Sequence, residues 1–310
     1  MPDSIGRPDE RHEPEPATLA AFVLLVLLAG GNAPAIRYVS CDGCELDPFW
    51  GAAIRFALAG AIFAAVSAWR GLPRGRALAG ATLFGALQFG AGFAFVYWGL
   101  VHAPAGLTQV LLACVPLFTF ALALVQRQER FRLEGLVGAA LAAAGIAVVF
   151  GSGFDTGVPL SSMLATLAGA VCWAEALVVV KGSPGVHPAA MNAVAMAVGA
   201  VILLALSVLS DEAHALPEEA STLTAQAYLV FAGSLGVFWL YVFVAQRWSA
   251  SAASYQLVLI PLVTVVVSAW LQDESITPAF AAGSALVLLG VYIGALRRPA
   301  IPTAAEPSPE

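Results

Sequence analysis

Residues 104–149 read PAGLTQVLLACVPLFTFALALVQRQERFRLEGLVGAALAAAGIAVV: an apolar run, a short charged break, then a second apolar run. The plan recurs at 249–295 as SASAASYQLVLIPLVTVVVSAWLQDESITPAFAAGSALVLLGVYIGA. One ungapped shift of 145 residues aligns the two, carrying Pro116 onto Pro261, Leu117 onto Leu262 and Thr119 onto Thr264. It also pairs Glu129 with Glu274, Gly138 with Gly283, Leu141 with Leu286 and Gly145 with Gly290. Self-similarity at a fixed offset marks an internal repeat. Here the offset is nearly half the chain, so two similar units are expected.

Of the 310 residues, 60% are hydrophobic and 11% charged, and the mean hydropathy is +0.84. Soluble domains are about 45–50% apolar and about 25% charged, so lipid is the expected solvent for most of the chain. A helix needs roughly 20 apolar residues to cross a bilayer. Ten such stretches are present: Ala17–Ile36, Pro48–Trp69, Leu78–Val101, Ala105–Val125, Leu133–Phe150, Val158–Val180, Pro188–Leu209, Ala225–Ala245, Ala250–Leu271 and Pro278–Leu296. A spanning barrel would need alternating polar and apolar positions, and these runs of Ala, Leu, Val and Gly do not alternate. The expected class is an all-α integral membrane protein with ten transmembrane helices in two inverted five-helix repeats. The expected divisions are a disordered tail over 1–16, a first repeat over 17–151, a second over 152–297 and a tail over 298–310.

Basic residues set the orientation. With both termini cytoplasmic, twelve of the fourteen Lys and Arg fall on the inner side; only Arg37 and Arg55 do not. The segment after the seventh helix carries Asp211, Glu212, Glu218 and Glu219 without Lys or Arg, as an outer loop can. Five spans per unit make the second unit enter from the opposite side. Glu129 then ends its helix inside and Glu274 outside. Inverted units of this kind are a recurrent transporter plan, with the site near the midplane between them.

With the plan in place, family features become visible. Gly31-Asn32, the run Arg55-Phe56-Ala57-Leu58-Ala59, the 103–129 segment with Pro116, and Leu136–Leu141 with Gly145 form one set. Pro261, Glu274, Gly283 and Gly290 repeat part of it. In these features the sequence resembles the EamA-type members of the drug/metabolite transporter superfamily, over nearly its whole length. The resemblance implies a bacterial inner-membrane carrier of small metabolites, often an exporter, with amino acids and their relatives as frequent substrates. It does not name the substrate. The second-half segment that matches the second helix, AAMNAVAMAVGAVILL, has no counterpart of Arg55.

Several polar residues inside apolar runs are candidate substrate ligands. Glu175 lies within the sixth run, where a carboxylate costs about 2.5–3.5 kcal/mol on insertion scales. It is expected to serve as an ammonium ligand or proton-coupling group, or else to be kept protonated or paired with another helix. Asn32 follows Gly30 and Gly31 and precedes Pro34, in a locally irregular helix suited to line a cavity. Gln88, Gln109, Tyr255 and Gln256 can hydrogen-bond a substrate or a neighbouring helix. Phe93, Trp173, Phe238, Trp239 and Tyr241 would offer aromatic faces, and the 145-residue shift pairs Phe93 with Phe238. Arg55 is expected to make a gating or structural ion pair, to hold a substrate carboxylate, or to snorkel. Pro116 and Pro261 are candidate hinges, and the repeated glycines are expected to allow close helix packing.

Cys41 and Cys44 form CDGC, readable as a disulfide, half a metal site or free thiols; no second Cys/His pair lies near to complete a zinc set. GxxxxGK[ST] is absent from the sequence, so ATP-driven pumping by this chain is not expected. No catalytic constellation, metal site, cofactor or nucleic-acid surface is expected. The expected partners are a small-molecule substrate and the lipid bilayer, with proton coupling and homodimer formation left open. The main function expected is secondary export by alternating access. The alternatives are efflux of cationic compounds or, further off, a membrane-embedded sensor or enzyme.

Overall fold

The structure is a computed structural model, and it describes residues 16–40, 45–69, 71–102, 111–150, 159–272 and 278–296. Regular structure among them is entirely helical. In chain order the first unit contains α1 (Pro16–Gly30), α2 (Asn32–Val39), α3 (Pro48–Ser67), α4 (Arg76–Gly85), α5 (Phe93–His102), α6 (Val115–Val125) and α7 (Leu133–Phe150). The second contains α8 (Leu160–Lys181), α9 (Pro188–Leu209), α10 (Ala220–Val230), α11 (Val237–Arg247), α12 (Ala250–Ser254), α13 (Gln256–Gln272) and α14 (Pro278–Val291).

Five helical stretches are long and apolar enough to cross a membrane, counting α4–α5 and α10–α11 as one each, and five shorter ones are apolar. The helices are apolar on all sides rather than amphipathic. On α1, Phe22, Leu25 and Val26 are buried while Val23, Leu24 and Leu27 lie open. Val66, Val125, Val201 and Leu209 are likewise exposed. Such a surface suits hydrocarbon, not water.

Three departures from regular helix decide where polar groups sit. First, the run expected as one helix over 17–36 breaks at Gly31, between α1 and α2. Gly31 leaves no room for a Cβ, which would overlap the Tyr228 hydroxyl, while that hydroxyl donates to the Leu28 carbonyl at 2.8 Å. Second, the ninth expected run divides at Tyr255, between α12 and α13. Third, α4 passes into α5, and α10 into α11, through π-helical segments at Ala86–Gly92 and Phe231–Gly236. The 145-residue shift carries the start of one π segment onto the start of the other. Single π turns inside α-helices recur at functional sites.

Packing between the units follows a pattern that survives exchanging them. α3 lies along α9, and α7 along α14. α5 packs on α8 as α1 does on α11, and α6 on α8 as α1 does on α13. Glycines set the closest approach. A Cβ on Gly145 would lie 2.7 Å from the Gly283 carbonyl oxygen, and one on Gly290 would lie 2.6 Å from that of Gly138. Only small residues permit such backbone contact. The expected close packing at these positions is therefore what α7 and α14 do.

Carboxylates cap helix starts across the unit boundary, using orphan N–H groups. Glu212 accepts from Phe49 N at 3.1 Å and Trp50 N at 2.8 Å, at the start of α3. Glu45 accepts from the amides of Glu218 and Glu219, both at 3.1 Å, just before α10. Asp47 accepts from Ala213 N at 2.7 Å. At the opposite, basic face, Glu129 accepts from Ser251 N at 2.9 Å and Ser251 Oγ at 2.5 Å, in α12. Arg132 stands 3.9 Å from the same carboxylate.

Candidate functional site

The π segments bring main-chain and side-chain polar groups into the apolar interior. Under the 145-residue shift Gln88 corresponds to Gly233 and Phe89 to Ser234. All four are held inside by the matched segments.

In the second unit, Gly233 and Ser234 meet Arg55 of α3. The arginine is 3% exposed. Its Nε donates to Ser234 Oγ at 2.7 Å and its Nη2 to the Gly233 carbonyl at 2.9 Å. That carbonyl also accepts from Asn32 Nδ2 at 3.3 Å. Among the described residues no carboxylate pairs with Arg55. Its ordinary place on a transmembrane helix, about 10 Å from the helix start at a rise of 1.5 Å per residue, is thus held by a hydroxyl and a carbonyl. Asn32 Oδ1 is buried without a hydrogen-bond partner.

In the first unit, Gln88 Oε1 accepts from the Tyr241 hydroxyl at 3.3 Å, and the Gln88 carbonyl accepts from Trp173 Nε1 at 3.1 Å. Between these two polar clusters lies an aromatic wall. Phe56 stands 4.9 Å from Phe89, 5.1 Å from Phe93 and 6.3 Å from Phe238, centroid to centroid. Phe93 adds Trp173 at 5.5 Å and Tyr97 at 6.1 Å. The Arg55 guanidinium carbon lies 5.1 Å from the Phe56 centroid, within cation–π range. Asn192 of α9 donates to the Phe238 carbonyl at 2.9 Å.

Asn32, Arg55, Gln88, Phe93, Trp173, Phe238 and Tyr241 are therefore gathered around one interior region. Other candidates lie elsewhere. The Glu175 carboxylate takes both oxygens' hydrogen bonds from Gln126 Nε2, at 2.9 and 2.7 Å. It sits six residues before the end of α8, beside the end of α6, about 9 Å in from the basic face. Trp239 points away from its neighbour Phe238. It stacks on Phe63 at 6.3 Å and meets His187 edge-on at 5.1 Å. It also lines an apolar groove of about 410 Å³ with Leu24, Leu28 and Val66.

Tyr255 is buried at the Glu129 corner, where its hydroxyl donates to the Gly135 carbonyl at 3.2 Å. Gln256 is buried at the start of α13. Pro261 is inside α13, while Pro116 occupies the first turn of α6 rather than its middle. Thr119 and Thr264, three residues beyond each proline, both bond back to the carbonyl four residues earlier. Gln109, Glu274, Cys41 and Cys44 lie outside the described residues.

The model of the EamA-like transporter family matches this chain twice, over residues 17–151 and 160–295. The chain belongs to the EamA-like transporter family. It is thus a multi-pass membrane transporter, as its apolar helices require. Among its EamA-like relatives is a probable terminal-alkyne amino-acid exporter of Streptantibioticus cattleyicolor, 30% identical over 88% of this chain and 91% of the relative. The uncharacterized inner membrane transporter YedA of Escherichia coli K12 is 30% identical over 74% of this chain and 76% of its own length. An uncharacterized transporter of Archaeoglobus fulgidus is 28% identical, covering 82% and 90%. A solved crystal structure superposes with a TM-score of 0.76 at 19% identity, over 91% of this chain and 97% of the other. That likeness concerns the fold.

Four residues of this EamA-like site carried little sequence signal. Phe56 and Phe89 look like ordinary core. Gly233 and Ser234 look like ordinary small residues of a membrane helix. The signal that could have found Gly233 and Ser234 is their correspondence with Gln88 and Phe89 in the other unit.

Proposed function

We propose that this transporter is a secondary carrier of small metabolites, amino acids or related compounds, and that it works as an exporter by alternating access. On this reading ten helices span the membrane, the two units are inverted repeats, and the basic face with both termini is cytoplasmic. The observation that carries it is the meeting of Arg55 from one unit with the π-segment carbonyl and hydroxyl of the other. A movement of one unit against the other changes these contacts. The exchange-invariant packing and the matched π segments support the repeat. The name of the Streptantibioticus relative supports an amino-acid cargo.

Glu175 is the proposed proton-coupling group, because its carboxylate stands near the basic face beside an amide that can serve either protonation state. Efflux of organic cations is the second reading, favoured by the aromatic wall and disfavoured by the engagement of the Glu175 carboxylate with Gln126 instead. The test is counterflow. Liposomes holding the purified protein and unlabelled neutral amino acids should accumulate the labelled compounds transiently. Absence of counterflow for amino acids, for aromatic acids and for organic cations alike refutes the carrier reading.

A further inference from the structure

Among the described residues, Arg55 is a buried cation without an anion, and one of several buried acceptors that lack a donor, Asn32 Oδ1, meets it at Gly233. Arg55 spends Nε and one N–H of Nη2 on Ser234 and Gly233. The rest of its donor fork has no acceptor among the described residues. A buried guanidinium lacking a counter-anion is costly unless a ligand supplies one. Asn32 is oriented by the bond from Nδ2 to the Gly233 carbonyl, so its free atom is the acceptor Oδ1. A methyl group on Gly233 would overlap Asn32 Oδ1 and lie 3.2 Å from Arg55 Nη2. The free donor fork and the free acceptor therefore flank a single backbone point.

We propose that Arg55, Asn32 and the Gly233 turn form a seat for the two charged groups of a neutral α-amino acid. The inference rests on the carrier reading above and narrows its cargo. The substrate carboxylate takes the remaining N–H groups of Arg55, a charge-assisted arrangement suited to its planar fork. The substrate ammonium donates to Asn32 Oδ1. Both groups are matched because they sit on one carbon. An amine alone meets Arg55, a like charge; an acid alone leaves Oδ1 unpaired. The side chain is directed to Phe56, Phe93 and Phe238, which favour an apolar or aromatic group. No described carboxylate in this wall would receive a cationic side chain.

The experiment uses full-length protein with three matched probe sets. These are L-leucine, L-phenylalanine and L-tryptophan; the amines phenylethylamine and tryptamine; and the acids 3-phenylpropionate and indole-3-propionate. Binding is read by titration calorimetry and exchange by counterflow. At least one amino acid is expected to bind, with its amine and acid analogues at least tenfold weaker. Arg55→Lys, which keeps the charge but not the fork, should weaken amino acids at least tenfold. Asn32→Asp should shift preference towards phenylethylamine relative to L-phenylalanine, a gain that misfolding does not mimic.

Failure of every amino acid to bind overturns the seat, as does equal binding of amines, or an unmoved preference in Asn32→Asp. Exchange of labelled amines without amino acids sinks the seat and leaves the carrier standing. The expected binding pattern without any exchange keeps the seat and sinks the carrier.

Discussion

Substituting alanine for Gly233 tests the geometry at its narrowest point. The Gly233 carbonyl receives Arg55 Nη2 at 2.9 Å and Asn32 Nδ2 at 3.3 Å. An added methyl would overlap Asn32 Oδ1, come to 3.0 Å from Asn32 Cγ and to 3.2 Å from Arg55 Nη2. Asn32 must therefore swing away and lose its bond, while Arg55 gives by a few tenths of an ångström. A neutral hydrogen bond is worth about 1 kcal/mol and one to a charged group about 1.5–3 kcal/mol. Losing the first and half of the second amounts to about 2 kcal/mol, roughly 30-fold in affinity. The assay is calorimetric binding of L-phenylalanine with a parallel thermal melt. Gly236→Ala, in the same π segment, is the control, since its methyl would meet the side-chain end of Leu28 at 3.2 Å and the Phe231 carbonyl oxygen at an ordinary 3.6 Å. Unchanged affinity in Gly233→Ala, or equal loss in Gly236→Ala, refutes the reasoning.

Glu129→Ala removes the acceptor of two bonds from Ser251 and should lower stability by about 1–2 kcal/mol; a melt indistinguishable from the parent removes the cap from the account. Gly145→Leu forces a side chain into the Gly283 and Val287 backbone and should abolish monodisperse protein on size exclusion, so wild-type yield counts against the packing. The Glu45 carboxyl is held below its ordinary range by the Thr222 hydroxyl first, against an opposing effect of desolvation, with the Glu218 and Glu219 amides adding to the lowering. A depressed value means that its tie to the second unit is complete above the ordinary carboxylate range, near about 4.3, and is lost as pH falls through the folded value. Protection from hydrogen exchange at Glu218 and Glu219, corrected for the intrinsic rate at each pH, should therefore fall on acidification, and Glu45→Gln should remove that component; the same acid response in both proteins excludes it. Glu175→Gln should flatten the pH profile of counterflow, and an unaltered profile takes Glu175 out of coupling.

The membrane class and the close glycine contacts were legible because they rest on local composition and spacing. Gly138, Gly145, Gly283 and Gly290 repeat every seven residues on one face, and that face is where α7 meets α14. The site was legible only in part. Arg55 invites a carboxylate partner in any sequence reading, but a main-chain carbonyl leaves no trace in residue type. The π segments have the same composition as the α-helices around them, so the turn that presents Gly233 is invisible until the backbone is seen. Phe238 and Trp239 differ by one residue, about 100° around a helix, and face the wall and the lipid groove respectively. Glu175 lies deep in an apolar run, yet Gln126, at the end of a helix distant in sequence, claims it.

The capping carboxylates have a consequence for how the protein is made. Glu212 completes the start of α3, more than 160 residues earlier in the chain, whereas Glu45 and Glu129 wait for α10 and α12. A ribosome that has delivered the first unit has released helices whose ends are not yet finished. A chain that ends between the two units lacks the Glu212 carboxylate for the Phe49 and Trp50 amides, and lacks the amides that Glu45 and Glu129 cap. Quality control in the membrane therefore has a chemically distinct target, the uncapped start of α3, present until Glu212 emerges.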